Sequence, residues 1–189
     1  KDGQAVHIEE LIAALRQLGH EVCVVGPANG KGEGAMGHDA GWVHKLKRAL
    51  PKSLYELLEL SYSLIAYRHL AAAAKVFRPD FIYERYNLYL LSGVILKRRL
   101  GIPLLLEVNA PLAEERSRFD GIGLPWLAHR VESQVWRGAD HVLPVTKVLA
   151  KHVAAAGVPP ERIAVIPNGI NRTHFAGAPT PETAKQSLG

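Results

Sequence analysis

The chain has 189 residues, 48% hydrophobic and 22% charged, with a formal net charge of +5 and an isoelectric point near 9.4. Those proportions exclude a disordered polymer and leave enough chain for one large domain with a substantial core. One cysteine excludes an internal disulfide framework and any multi-cysteine metal site, and no stretch reaches the ~20 apolar residues of a spanning helix.

Residues 4–18 place Ala5, Ile8, Leu11, Ile12, Leu15 and Leu18 on one side and Glu9, Glu10, Arg16 and Gln17 on the other. This predicts an amphipathic helix, with Gly19 placed to cap its C-terminus. Residues 21–26, EVCVVG, read as a buried parallel strand, with Cys23 a small buried hydrophobe. A helix running straight into such a strand implies a parallel partner before it, so Lys1-Asp2-Gly3 reads as the loop leaving a first strand absent from the sequence. No apolar leader is present in it. Residues 27–41 are glycine-rich and without period, a long loop. Residues 42–50, WVHKLKRAL, are amphipathic and basic. A surface helix packed on its own domain is the favoured reading of Trp42 to Leu50. The other is a helix lying on an anionic membrane, with Trp42 and Leu46 inward and Lys45, Lys47 and Arg48 at the headgroups. Residues 53–77 form a longer helix in which Ser53 and Glu56 make a capping box.

The second half alternates regularly. Strands are expected at residues 81–84, 102–108, 141–146 and 163–166, and helices at 88–100, 124–137 and 147–156, the last closed by Gly157. Residues 109–123 read as a second functional loop. Pro167 stops the last strand and Asn168-Gly169 turns the chain. Five strands alternating with helices predict an α/β domain with a doubly wound, mostly parallel, Rossmann-like sheet.

Ligands of such sheets sit beyond the carboxyl ends of the strands, which defines the candidate residues. Gly3 and Gln4 open a helix whose free N–H groups suit a phosphate, or make a plain turn. Glu84 and Arg85 bind a ligand or form an exposed ion pair. Glu107, inside an apolar run, needs a partner if it faces inward, and Arg85 is the sensible one. Asn109 bonds a sugar hydroxyl or forms a turn before Pro111. Glu114, Glu115 and Arg116 hold a polar ligand or form a solvated face. The nine histidines show no metal-ligand spacing, and no basic–aromatic cluster supports nucleic-acid binding. These residues alone lead to a polyol- or phosphate-binding α/β domain.

Four stretches in order, DGQAVHIEELIAALRQLGHEVCVVGP, PDFIYERYN, GIPLLLEVNAPLAEER and ADHVLPVTKVLAKHVAAAGVPPERIAVIPNGINRTHF, resemble the N-terminal domain of GT-B glycosyltransferases of family 4 (group 1). The resemblance implies residues 1–170 as the acceptor-side Rossmann-like half of a two-domain enzyme and residues 171–189 as a linker toward a donor-binding half that is not in the sequence. It implies transfer from a nucleotide-diphosphate sugar to a glycan or lipid-linked acceptor, with retention of anomeric configuration and no metal or other cofactor. Gly3 would lie near the donor phosphates, and Asn109 stands where many members carry a histidine facing the donor sugar. Asn168 and Gly169 would form the interdomain hinge. A cytoplasmic location follows, with peripheral contact at the inner membrane face, and the chain alone is expected to transfer no sugar. The alternatives are another GT-B enzyme, such as a nucleotide-sugar epimerase, and a non-catalytic polyol- or phosphate-binding module.

Overall fold

A computed structural model describes residues 3–26 and 50–169 together with Thr183, Lys185 and Gln186. The expected loop at 27–41, nearly all of the basic helix at 42–50 and most of the 171–189 linker lie outside the described residues. Two compact units are distinguished, one made of Lys1–Val22 and Asn168–Gly189, the other of Cys23–Pro167.

The first unit contains α1 (Gly3–Gln17). The expected cap is present at its end. Gly19 takes φ +86, and the His20 N–H reaches back to the Leu15 carbonyl at 3.1 Å. That geometry is one only glycine adopts without strain.

The second unit is built on a parallel sheet of β1 (Ile82–Arg85), β2 (Leu104–Val108) and β3 (His141–Pro144) in that spatial order. Around it lie α2 (Lys52–Phe77), α3 (Ser92–Leu100), α4 (Leu112–Phe119), α5 (Pro125–Gly138) and α6 (Lys147–Ala155). This is the expected α/β class, a small open parallel sheet flanked by helices, consistent with a Rossmann-like fold. Alternate strand residues point to opposite faces. Ile82, Leu104, Leu106, Val108 and Val142 accordingly form the buried centre of the core, and Val94 and Leu96 of α3 and Val131, Val135 and Trp136 of α5 join them. None of the described helices is long and apolar enough to cross a membrane.

Several expectations are corrected. Three strands form a ladder among the described residues, not five. Residues 163–166 run beside β3 through one bridge, Val142 to Ile163, and two hydrogen bonds, Ala164 N–H to the Val142 carbonyl and Ile166 N–H to the Pro144 carbonyl. Residues 21–26 straddle the two units and form no strand, and Cys23 is exposed rather than buried. An apolar run becomes a strand only where a neighbour takes its N–H and C=O groups. The helix expected from residue 88 starts at Ser92, because Tyr89 adopts φ 66, outside helical space, while Ser63 of α2 clamps the turn. The Ser63 hydroxyl donates to the Tyr89 carbonyl at 2.6 Å and accepts from the Leu91 N–H at 3.0 Å. The expected loop at 109–123 contains helix α4.

The Ser53–Glu56 capping box does not form; Pro51 precedes α2 and no side chain caps it. Glu56 is used elsewhere. It is buried, and its carboxylate accepts the N–H groups of Gly123 and Leu124 at 2.7 and 2.8 Å, at the start of α5. Leu124 has no side-chain acceptor with which to cap that helix itself.

Candidate functional site

The carboxyl ends of the three parallel strands lie along one edge of the sheet, and the segments leaving them are residues 86–91, 109–111 and 145–146. Strand register sets Arg85 opposite Glu107, with Tyr83 two residues earlier on the same face. Glu107 is 4% exposed and gathers its neighbours. The Tyr83 hydroxyl donates to Oε2 at 2.6 Å and the Asn109 amide Nδ2 to Oε1 at 2.6 Å. Arg85 Nη1 stands 3.9 Å from Oε1, an ion pair at the limit of contact, and that nitrogen is buried without a hydrogen-bond partner among the described residues. Burial and then the bond to Glu107 push the Tyr83 phenol above its usual range. Tyr83, Arg85, Glu107 and Asn109 therefore form one polar cluster at the strand ends. Of its four members, Tyr83 is the one the sequence did not single out.

Glu84 points the other way. Both carboxylate oxygens are sealed from solvent and lie against the first turn of α3, where a Cβ on Gly93 would collide with Oε2. Burial pushes its pKa up to about 7, partly offset by the Gly93 N–H, although neither oxygen makes a hydrogen bond of good geometry. It belongs to the interior rather than to the Arg85–Glu107 cluster.

Arg116, on α4, is committed to the scaffold. Its guanidinium bonds both oxygens of Glu59 on α2, at 2.5 and 2.9 Å, and lies 5.8 Å from the centre of the Tyr89 ring. Such a bidentate pair fixes α4 to α2 in one orientation. Glu114 pairs with Arg118 at 2.5 Å and stands 3.6 Å from His152 Nδ1. Gly3 and Gln4 open α1 in the first unit. Asn168 and Gly169 are exposed, and the boundary between the two units falls between Pro167 and Asn168.

A pattern that sequence reasoning missed runs through the second unit. The residues preceding α3, α4 and α5 are Leu91, Pro111 and Leu124, none of which caps its helix. A buried glutamate from another element stands at each start. Glu84 lies at α3, Glu132 at α4 and Glu56 at α5. Glu132 accepts the Ala113 N–H at 3.2 Å and the Tyr86 hydroxyl at 3.0 Å, while the Tyr86 ring meets Trp136 edge to face at 5.7 Å. Burial raises the Glu132 pKa, and the N–H groups of α4 and the Tyr86 hydroxyl pull against that rise. A carboxylate at a helix N-terminus satisfies free donors and meets the positive end of the dipole. At α6, Thr146 does the same locally by accepting the Leu149 N–H at 3.1 Å. All three helices that leave the strand ends thus have an oxygen of the protein itself at their first turn.

Beside this edge, the 86–91 loop and α4 enclose an open depression of about 260 Å³ lined by Asn87, Leu88, Leu112, Glu115, Arg116, Phe119 and Asp120. Among the described residues, no group of three or more His, Cys, Asp or Glu is placed to hold a metal ion.

Residues 2–169 match the family model described as glycosyl transferase 4-like domain. The chain belongs to that family. No curated protein matches it closely enough to add a substrate or a residue role. The match spans both units, from α1 to Gly169, so the polar cluster and the depression both fall within the glycosyl transferase 4-like domain. Membership gives the chain a glycosyltransferase-family role and agrees with the α/β fold at whose strand ends the cluster lies.

Proposed function

We propose that this chain is the acceptor side of a retaining glycosyltransferase that moves a sugar from a nucleotide-diphosphate sugar to a glycan or lipid-linked acceptor in cell-surface polysaccharide assembly. The observation that carries the acceptor assignment is the filling of the helix starts. A diphosphate bound at the edge of an α/β sheet draws on free N–H groups and a helix dipole. At α3, α4 and α6 that position is held by Glu84, Glu132 and Thr146. What remains for a ligand is side-chain chemistry. The Asn109 Nδ2 is spent on Glu107, leaving its Oδ1 for a hydroxyl, and the Arg85 side chain is partly exposed at the same edge.

On this reading the 189-residue chain alone turns over no donor, and transfer in the working enzyme needs no metal ion. Peripheral contact with the inner face of the membrane belongs to the same proposal. The test is a pair of binding measurements on the chain, one on an array of immobilised oligosaccharides and one by calorimetry with UDP- and GDP-sugars. Glycan binding with weak or no nucleotide-sugar binding is expected. Tight nucleotide-sugar binding with no glycan recognised overturns the assignment.

A further inference from the structure

We propose that the depression between the 86–91 loop and α4 binds one uncharged sugar ring, with the Phe119 ring as the stacking surface and Asn87 and Glu115 as hydroxyl acceptors. The proposal rests on the acceptor-side reading and names the chemistry of its ligand.

Size is the first argument. About 260 Å³ lies below the ~300–1,000 Å³ of drug-sized sites, which suits a single ring rather than an extended chain. The lining is the second. Leu88, Leu112 and Phe119 supply apolar surface, and Phe119 is 84% exposed on the last turn of α4. A pyranose has one face of C–H groups, which an aromatic ring covers, and an equatorial rim of hydroxyls, which need acceptors. Asn87 and Glu115, both exposed, supply them at the same mouth.

Charge is the third argument. Arg116 lines the depression, yet its guanidinium is committed to both Glu59 oxygens and to the Tyr89 face. The Glu115 carboxylate is exposed and makes no hydrogen bond or ion pair with the other described residues. With the arginine neutralised and that carboxylate unpaired, the mouth repels phosphate and carboxylate groups and accepts neutral hydroxyls. A free phosphate or an acidic sugar is thereby disfavoured in this depression.

The experiment is saturation-transfer-difference NMR on the chain, with the methyl glycosides of glucose, galactose and mannose as neutral probes and glucuronic acid and glucose 6-phosphate as anionic ones. At least one neutral glycoside is expected to saturate on its C–H face, and the anionic probes are not. Phe119→Ala should weaken that binding about tenfold, Phe119→Tyr should retain it, and Glu115→Gln should narrow the gap between neutral and anionic probes. Because Phe119 and Glu115 are exposed, these variants keep the fold, which far-UV circular dichroism checks. Absence of any neutral signal, equal binding of the anionic probes, or an unaffected Phe119→Ala variant overturns the proposal. If oligosaccharides on the array are held equally by wild type and Phe119→Ala, this site falls and the acceptor-side reading stands. If wild type holds nucleotide sugars and no glycan, the acceptor-side reading itself falls.

Discussion

Replacing Glu84 by Gln tests the account of the helix starts most directly. The folded carboxyl has a pKa of about 7 against a usual value of 4.5, chiefly because burial penalises the charged form. Below pH 4.5 both folded and unfolded chains hold the proton, and the site carries no ionisation penalty. Between 4.5 and 7 the folded state keeps a proton that the unfolded state has lost, so this group's contribution to stability declines as pH rises. Above 7 the folded carboxyl ionises and the penalty is constant. The shift of 7 − 4.5 = 2.5 units, at ~1.4 kcal/mol per unit, amounts to about 3 kcal/mol. A carboxamide of the same shape never carries the charge. Glu84→Gln should therefore gain stability relative to wild type by about 3 kcal/mol more at pH 8 than at pH 4. Urea denaturation of both proteins at half-unit pH intervals measures this difference. A difference that does not change with pH would falsify the account, because the carboxylate would then be paired or solvated in the folded state.

The other expectations concern the remaining cross-braces. Glu56→Ala leaves the Gly123 and Leu124 N–H groups without their acceptor and should cost about 2–3 kcal/mol by urea titration; a loss below about 0.5 kcal/mol would mean that water replaces it. Arg116→Lys cannot bond both Glu59 oxygens in one plane and should cost about 1–2 kcal/mol. Combined with Glu59→Gln in a double-mutant cycle, it should show coupling, and simple additivity would refute the brace. Asp140 is raised by burial but lowered overall by the Lys97 ammonium, at 2.6 Å, and the Leu104 N–H. A depressed folded pKa stabilises above the ordinary carboxylate range and is lost as pH falls through it. Lys97→Met should thus lower stability at pH 7 by under about 1 kcal/mol, since the pair is partly exposed, and have little effect at pH 2.

Periodicity and glycine placement made α1, α2, α5 and the three central strands legible, and in α5 burial of one face imposes that repeat on the chain. The α/β class followed from their alternation. What stayed hidden depends on partners distant in sequence. Residues 112–119, LAEERSRF, carry too few apolar positions to announce a helix, and the cap of α4 arrives from Glu132. A signal was available, since Glu132 sits between Val131 and Val135 on the buried stripe of α5, where a carboxylate needs a reason. Glu56 beside Tyr55 offered the same clue, but its proximity to Ser53 suggested a local box. The Glu107–Arg85 contact could be anticipated because a carboxylate inside an apolar strand points to the neighbouring strand end. That Arg116 serves the scaffold could not, since Glu59 lies 57 residues away.

The same feature that hid from sequence reasoning shapes what the strand-end edge can recognise. Helix starts are the cheapest anion sites a parallel sheet offers, because backbone donors converge there at no side-chain cost. In this unit their occupation by Glu84, Glu132 and Thr146 leaves any incoming phosphate to displace an internal carboxylate or compete with a hydroxyl. Displacing Glu132 would strip acceptors from the Ala113 N–H and the Tyr86 hydroxyl together, two buried donors worth about 1–3 kcal/mol each. Hydroxyl-bearing ligands meet no such barrier on the proposed reading, in which Asn109, Glu115 and Asn87 meet them through side chains. On the acceptor-side reading proposed above, the occupied helix starts disfavour the donor's diphosphate at these three strand ends, so that it is bound elsewhere in the catalyst.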